Sequence, residues 1–182
     1  FAPFSLMDAF AGAQIVHDSV QRPLVSGKEL IVDALPEEEE GGWMPTPFQC
    51  SLLLFILTAA ATIYSIRKRT GLWGVDLILF GAAGIVGCVL AFLALFSEHP
   101  AVSSNFLLLV FHPGQLLLLP YIIYCVRKGK KCWYLTLNIV VLTLFMVLFP
   151  LIPQRFDLAV VPLALCLLIR SASNLILTSK KK

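Results

Sequence analysis

The sequence predicts an all-α membrane protein: a five-transmembrane-helix up-down bundle preceded by a short α/β tail. Three observations lead there. Of 182 residues, 58% are apolar and only 14% charged, which is not the composition of a water-soluble domain. The apolar residues gather into five segments, each near the ~20 residues needed to cross a hydrocarbon core ~30 Å thick. The joins between segments are short, and basic joins alternate with joins that carry no basic cluster.

The tail comes first. Residues 1–35 carry no opening Met, no basic leader and no small-residue cleavage site, so the chain is expected to be part of a longer polypeptide. Ser5-Leu6-Met7-Asp8 has the form of a helix start, with a capping hydroxyl and an acid three residues on. The stretches AGAQIVHD (11–18) and RPLVSGKELIVDAL (22–35) read as two short strands, with Ser26-Gly27 as a turn. So short a piece cannot bury a core alone, so it is expected to close the edge of a larger domain. Residues 36–47 form an acidic linker, Glu37–Glu40 with Gly41-Gly42, and Trp43, Pro45 and Pro47 mark arrival at a membrane interface.

Residues 48–182 make the membrane domain, with helices expected at 48–66, 72–96, 106–126, 133–150 and 156–177. Short joins force consecutive helices antiparallel. Of the fourteen Lys and Arg, ten lie in Arg67–Arg69, Arg127–Lys131 and Lys180–Lys182, after the first, third and fifth segments and so on one side. Ten of the eleven acids and all three histidines, His17, His99 and His112, fall on the other. The positive side stays cytoplasmic. The tail and the Ser97–Asn105 loop are then extracytoplasmic, and the C-terminus is inside. Trp73, Trp133, Tyr64, Tyr124 and Tyr134 sit near the basic ends, as interfacial aromatics do.

The polar groups worth weighing cluster in SEHPAVSSNFLLLVFHPGQLLLLP, residues 97–120. Glu98 and His99 are an adjacent acid–imidazole pair; they fit a base and its orienter, a contact for lipid head groups or an upstream domain, or a solvated loop. Asn105 and His112, seven residues apart, share a face of an unbroken helix, with Gln115 beyond them. Pro113-Gly114 would break that helix. Such a break is either a transporter-like site or a plain kink behind a helix N-terminus, and the kink is the commoner case. Asp76 and Arg170 are the charges set deepest in apolar segments; each snorkels to the interface, or the two pair with one another.

The rest of the inventory excludes more than it suggests. Five scattered cysteines lack metal-ligand spacing and read as packing residues, so no metal and no cofactor are expected. No phosphate loop, HExxH, paired CxxC or GxSxG is present. The basic clusters suit anionic lipid rather than nucleic acid.

The run SEHPAVSSNFLLLVFHP, with PLVSGKELIV (23–32) upstream and PQRFDLAVVPLALCLLIRS (153–171) downstream, resembles a Bacteroidota family of periplasmic-plus-membrane proteins that includes the lipoprotein N-acyltransferase Lnb. Ser97, His99, Pro100, Asn105, Phe106, Leu108, Leu109 and Pro113 fit its pattern; Leu107, Val110 and His112 replace Asn, Trp and Asn. The resemblance implies a periplasmic catalytic domain before Phe1, tethered at the inner membrane. It also implies acyl transfer from a phospholipid to the amino-terminal Cys of lipoprotein substrates. The resemblance implies that the catalytic machinery, the nucleophile included, lies in that upstream domain. The expected partners are the phospholipid bilayer, the upstream domain and those lipoproteins. A rival reading is a non-catalytic scaffold whose periplasmic tail binds a partner protein. A lipid transporter ranks third, since the fourth segment offers only Thr136, Asn138 and Thr143 as polar groups.

Overall fold

The computed structural model describes residues 10, 12–17, 20–25, 44–96, 105–152, 154 and 156–179. The helix start at Ser5–Asp8, the Ser26-Gly27 turn, most of the acidic linker and the pair Glu98–His99 lie outside them. The chain divides into two compact units, Phe1–Met44 and Pro45–Lys182.

In the first unit, β1 (Gln14–His17) and β2 (Val20–Pro23) form an antiparallel pair with Gln14 opposite Pro23 and His17 opposite Val20. The second strand therefore begins two residues before the stretch from which it was expected. Pro23 is tolerated because both strands of a two-stranded sheet are edges, and just beyond it Leu24 N donates to Ala13 O at 2.8 Å.

In the second unit, α1 (Pro47–Lys68) starts two ways at once. Pro47 supplies a ready-made first turn, and Thr46 and Gln49 cap each other: Gln49 N donates to Thr46 Oγ1 at 3.2 Å, and Thr46 N to Gln49 Oε1 at 2.9 Å. It ends in Arg67 and Lys68, which complement the helix dipole, with Arg69 in the left-handed region at φ 52°. α2 spans Trp73–Phe96. The 22 and 24 residues of these helices give about 33 and 36 Å of length, enough to cross a bilayer.

The third segment is not one helix. A 3-10 turn (Phe106–Leu109) leads to the four-residue α3 (Gly114–Leu117) and then to α4 (Leu119–Lys128), with a 73° bend between Phe106–Leu117 and α4. The segment expected over 106–126 is thus broken around Pro113-Gly114, where the sequence places an interruption. Pro113 lacks an N–H and Pro120 follows within two turns, so the ladder cannot run through. α5 (Trp133–Leu148) passes into a 3-10 turn at Phe149–Leu151. α6 (Val160–Ser179) begins four residues later than the expected 156, because Asp157 Oδ1 accepts from Ala159 N at 2.8 Å and holds the approach as a turn. Among the described residues, four helices are long and apolar enough to cross a membrane, or five spans if the bent segment counts as one.

α6 is the spine. It packs along α1 on one side and α5 on the other, while α2 packs mainly on the broken third segment. Half of its apolar window is buried, against 22–28% for the other long helices. The distribution of polarity is inverted relative to a water-soluble protein. Ser51, Thr58, Thr62, Ser65, Asp76, Asn138, Arg170, Ser171, Ser173 and Asn174 are buried, while Ile78 at 71% and Leu95 at 79% exposure face outward. Small and polar residues inside with apolar residues outside is what a hydrocarbon solvent selects.

Candidate functional site

Three features could carry function: the break in the third segment, a buried charge cluster, and an apolar cleft beside the break.

The break is built to leave little backbone unsatisfied. Asn105 caps the 3-10 turn, its Oδ1 accepting from Leu107 N at 3.0 Å. Gln154 grips the same point twice: its Nε2 donates to Asn105 Oδ1 at 3.1 Å and its Oε1 accepts from Phe106 N at 2.9 Å. In a continuous helix the carbonyl of Val110 would accept from Gly114 N. Here the fully buried Gln115 donates to it instead, Nε2 to O at 2.8 Å. His112 Nε2 and Tyr134 Oη lie 3.1 Å apart, one donating and the other accepting according to the imidazole tautomer. The two rings meet edge to face.

α2 lets this segment come close because of its glycines. A Cβ on Gly87 would stand 2.6 Å from the His112 carbonyl carbon, and one on Gly84 would overlap the backbone of Leu116. Helix backbones in membranes approach this closely only over small residues.

The charge cluster joins four helical positions. Arg170 on α6 donates to Asp76 on α2 through Nε at 2.7 Å and Nη2 at 3.1 Å, a two-point pair. Asn174 Nδ2, one turn on, donates to Asp76 Oδ2 at 2.9 Å, and Arg170 Nη1 reaches Thr62 Oγ1 on α1 at 3.4 Å. Both charged side chains are fully buried. On the other face of α6, Asn138 donates to Ser171 at 3.0 Å and ties in α5.

The cleft is walled by Leu54 of α1, four residues of α2 between Leu79 and Val86, Phe111 of the break, and Leu163, Cys166 and Leu167 of α6, with a volume of about 260 Å³.

Of the residues singled out in the sequence, the structure joins Asp76 to Arg170 and gathers Asn105, His112 and Gln115 into the break. It does not bring Asn105 and His112 onto one helical face, because the helix between them is interrupted. Glu98 and His99 lie outside the described residues. Tyr134, Gln154 and Thr62 were missed as partners. The glycines at 81, 84 and 87, three apart on one helix, were a signal that could have been read as a close-packing face. Among the described residues, no group of three or more His, Cys, Asp or Glu could hold a metal ion. Burial pushes the Cys132 thiol, in the α4–α5 connection, above its ordinary range, which suits a packing residue rather than a nucleophile.

Long apolar helices, a polar interior and a two-point buried ion pair define a polytopic α-helical membrane domain. Residues 37–182 match the model of the Lnb transmembrane domain, a five-transmembrane-helix family, and the chain belongs to that family. No curated protein and no solved structure gave a match.

Proposed function

We propose that this chain is the membrane-anchoring domain of an Lnb-like lipoprotein N-acyltransferase. It holds a periplasmic catalytic domain at the inner membrane and guides the phospholipid acyl donor toward it. The observation that carries the reading is the family match over residues 37–182. The charge pattern supports an orientation with the C-terminal ends of α1 and α4 in the cytoplasm and the N-terminal segment in the periplasm, since both helices end in basic turns, Arg67-Lys68 and Arg127-Lys128. On this reading residues 1–35 are the closing edge of the catalytic domain and residues 36–47 are its linker to the membrane.

The test compares the full-length protein with a version lacking residues 48–182, and with one in which an unrelated transmembrane anchor replaces them. Lipoprotein acylation in membranes is the readout. Loss on deletion with little recovery from the foreign anchor supports anchoring plus donor guidance. Recovery by any anchor reduces the domain to a tether, and undiminished activity on deletion removes both roles. Topology is tested by impermeant thiol labelling in a background without native Cys: Ser103→Cys should react from the periplasm, and Thr70→Cys only once the membrane is opened.

A further inference from the structure

The cleft between α1 and α2 has three properties that together select an occupant. Its walls are carbon throughout, apart from the Cys166 thiol. Its floor is deeply buried, with Ala83, Cys166 and Leu167 at 6%, 1% and 2% exposure, while its lips Leu54 and Val86 remain 37% and 45% exposed. It exists because α1 packs on α6 rather than on α2, its neighbour in sequence, so the two helices part and leave a mouth toward the surrounding medium. At about 260 Å³ it exceeds the ~150 Å³ apolar cavity that is large enough to take up benzene.

An apolar hollow of that size does not hold water, because a bound water needs two to four polar partners and the walls offer none. Left empty, its lining atoms forfeit their dispersion contacts on one side. At its mouth the abundant molecules are the tails of bilayer lipids. Depth narrows the choice further. Leu54 lies seven residues into α1, about 10 Å along the axis, Leu163 lies about 5 Å into α6, and Val86 lies about 15 Å before the end of α2. All three distances are measured from the same end of the bundle, the end at which α1 begins. A tail seated there leaves its ester groups at the level of the Thr46 cap and the Asn105–Gln154 pair, where the polar groups of that end lie.

We propose that this cleft is an acyl-chain site that seats one fatty acyl tail of a bilayer glycerophospholipid in the leaflet at the N-terminal end of α1. That the seated lipid is the acyl donor rests on the proposed function; that the cleft binds a phospholipid tail rests on its shape and chemistry alone.

The test uses the protein reconstituted in vesicles of phosphatidylethanolamine and phosphatidylglycerol. The vesicles carry a trace of phosphatidylethanolamine bearing a diazirine in one tail. After irradiation, peptide mapping should find several-fold more label on Ala83, Cys166 and Leu167 than on Ile85 and Val89. Those two face outward at 56% and 54% exposure on the same stretch of α2, so depth is matched. Filling the floor by Ala83→Leu, or from the wall by Ala82→Leu if the first variant fails to fold, should abolish the cleft label and leave that on Ile85. Label that follows exposure, with Ile85 and Val89 above Cys166, means annular lipid only and overturns the site. So does label displaced by a diacylated lipopeptide but not by excess unlabelled phospholipid. Acylation by the full-length variants separates the two claims: label lost with acylation intact keeps the acyl-chain site and removes its role as the donor's seat.

Discussion

The two ends of the bundle are held together by opposite means. Toward the ends of α1 and α6 and the start of α2, Asp76, Arg170, Asn174 and Thr62 clamp these three helices with four hydrogen bonds. Toward the other end the same three helices, with Phe111 of the break, enclose the cleft, whose walls are almost wholly apolar. In water both ends would close, because burying apolar surface drives packing everywhere. In lipid that drive is absent, and helices stay together where hydrogen bonds or close backbone contact hold them. The difference teaches that a membrane bundle is closed by its few polar contacts, and that an opening needs only their absence.

The strongest way to break this contrast is to release the clamp. Arg170→Ala with Asp76 in place leaves a buried carboxylate without its partner and should cost about 3–5 kcal/mol. Asp76→Ala strands the guanidinium similarly, and the double variant should lose much less than the sum of the two. A double-mutant cycle on folded protein in detergent measures the coupling; strictly additive losses would mean that the two ends are held alike.

A smaller effect tests how α2 is kept in place. Since α2 packs mainly on the broken third segment, Gly87→Ala should push against the His112 backbone and cost about 1–3 kcal/mol by overpacking. Gly74→Ala on the same helix meets nothing within 4 Å and should be near neutral, which makes it the control. Equal unfolding midpoints for the two variants would show that the contact is not tight.

The smallest effect sharpens the picture at the break itself. Tyr134→Phe removes only the hydroxyl facing His112 and should cost about 0.6 kcal/mol, the average for side-chain hydrogen bonds measured inside a membrane protein. A loss several times larger, or one restricted to acylation with stability unchanged, would shift the His112–Tyr134 pair from support to chemistry.

Much of this was readable in the residues, and the reasons for the exceptions are physical. Spans show as runs of apolar residues because the bilayer sets their length and tolerates few charges. Asp76 and Arg170 stand out for the same reason: opposite charges at similar depth have few ways to lower their cost apart from each other and the interface. The interruption near Pro113 is dictated by proline's missing N–H, but the 73° bend is not, since it depends on how far Gly84 and Gly87 let Leu116 and His112 approach. Tyr134 was read as an interfacial aromatic. Its partnership with His112 could not be seen because it depends on helix rotation and on how the α4–α5 connection places the start of α5. The buried face of α1, Ser51, Thr58, Thr62 and Ser65 at helical spacing, was visible in principle, but short hydroxyl residues carry little weight when apolar runs are sought. The cleft has no signature, because it is defined by helices that fail to meet.

The ion pair also sets the order in which the protein can be made. Its two halves are ninety-four residues apart, one on α2 and the other on α6. At roughly 5–20 residues per second, the carboxyl group emerges about 5–20 s before the guanidinium that it will bind. During that interval the growing chain has α1 and α2 in the membrane but lacks the spine on which both will dock. Docking of α6 is therefore the step that closes this clamp, and a chain that stops short of it carries a stranded acid that membrane quality control can read. Ribosome release before Val160 should yield a rapidly degraded product in pulse-chase, and Asp76→Leu should lengthen its lifetime. Equal lifetimes would mean that the stranded acid is not what marks the unfinished chain.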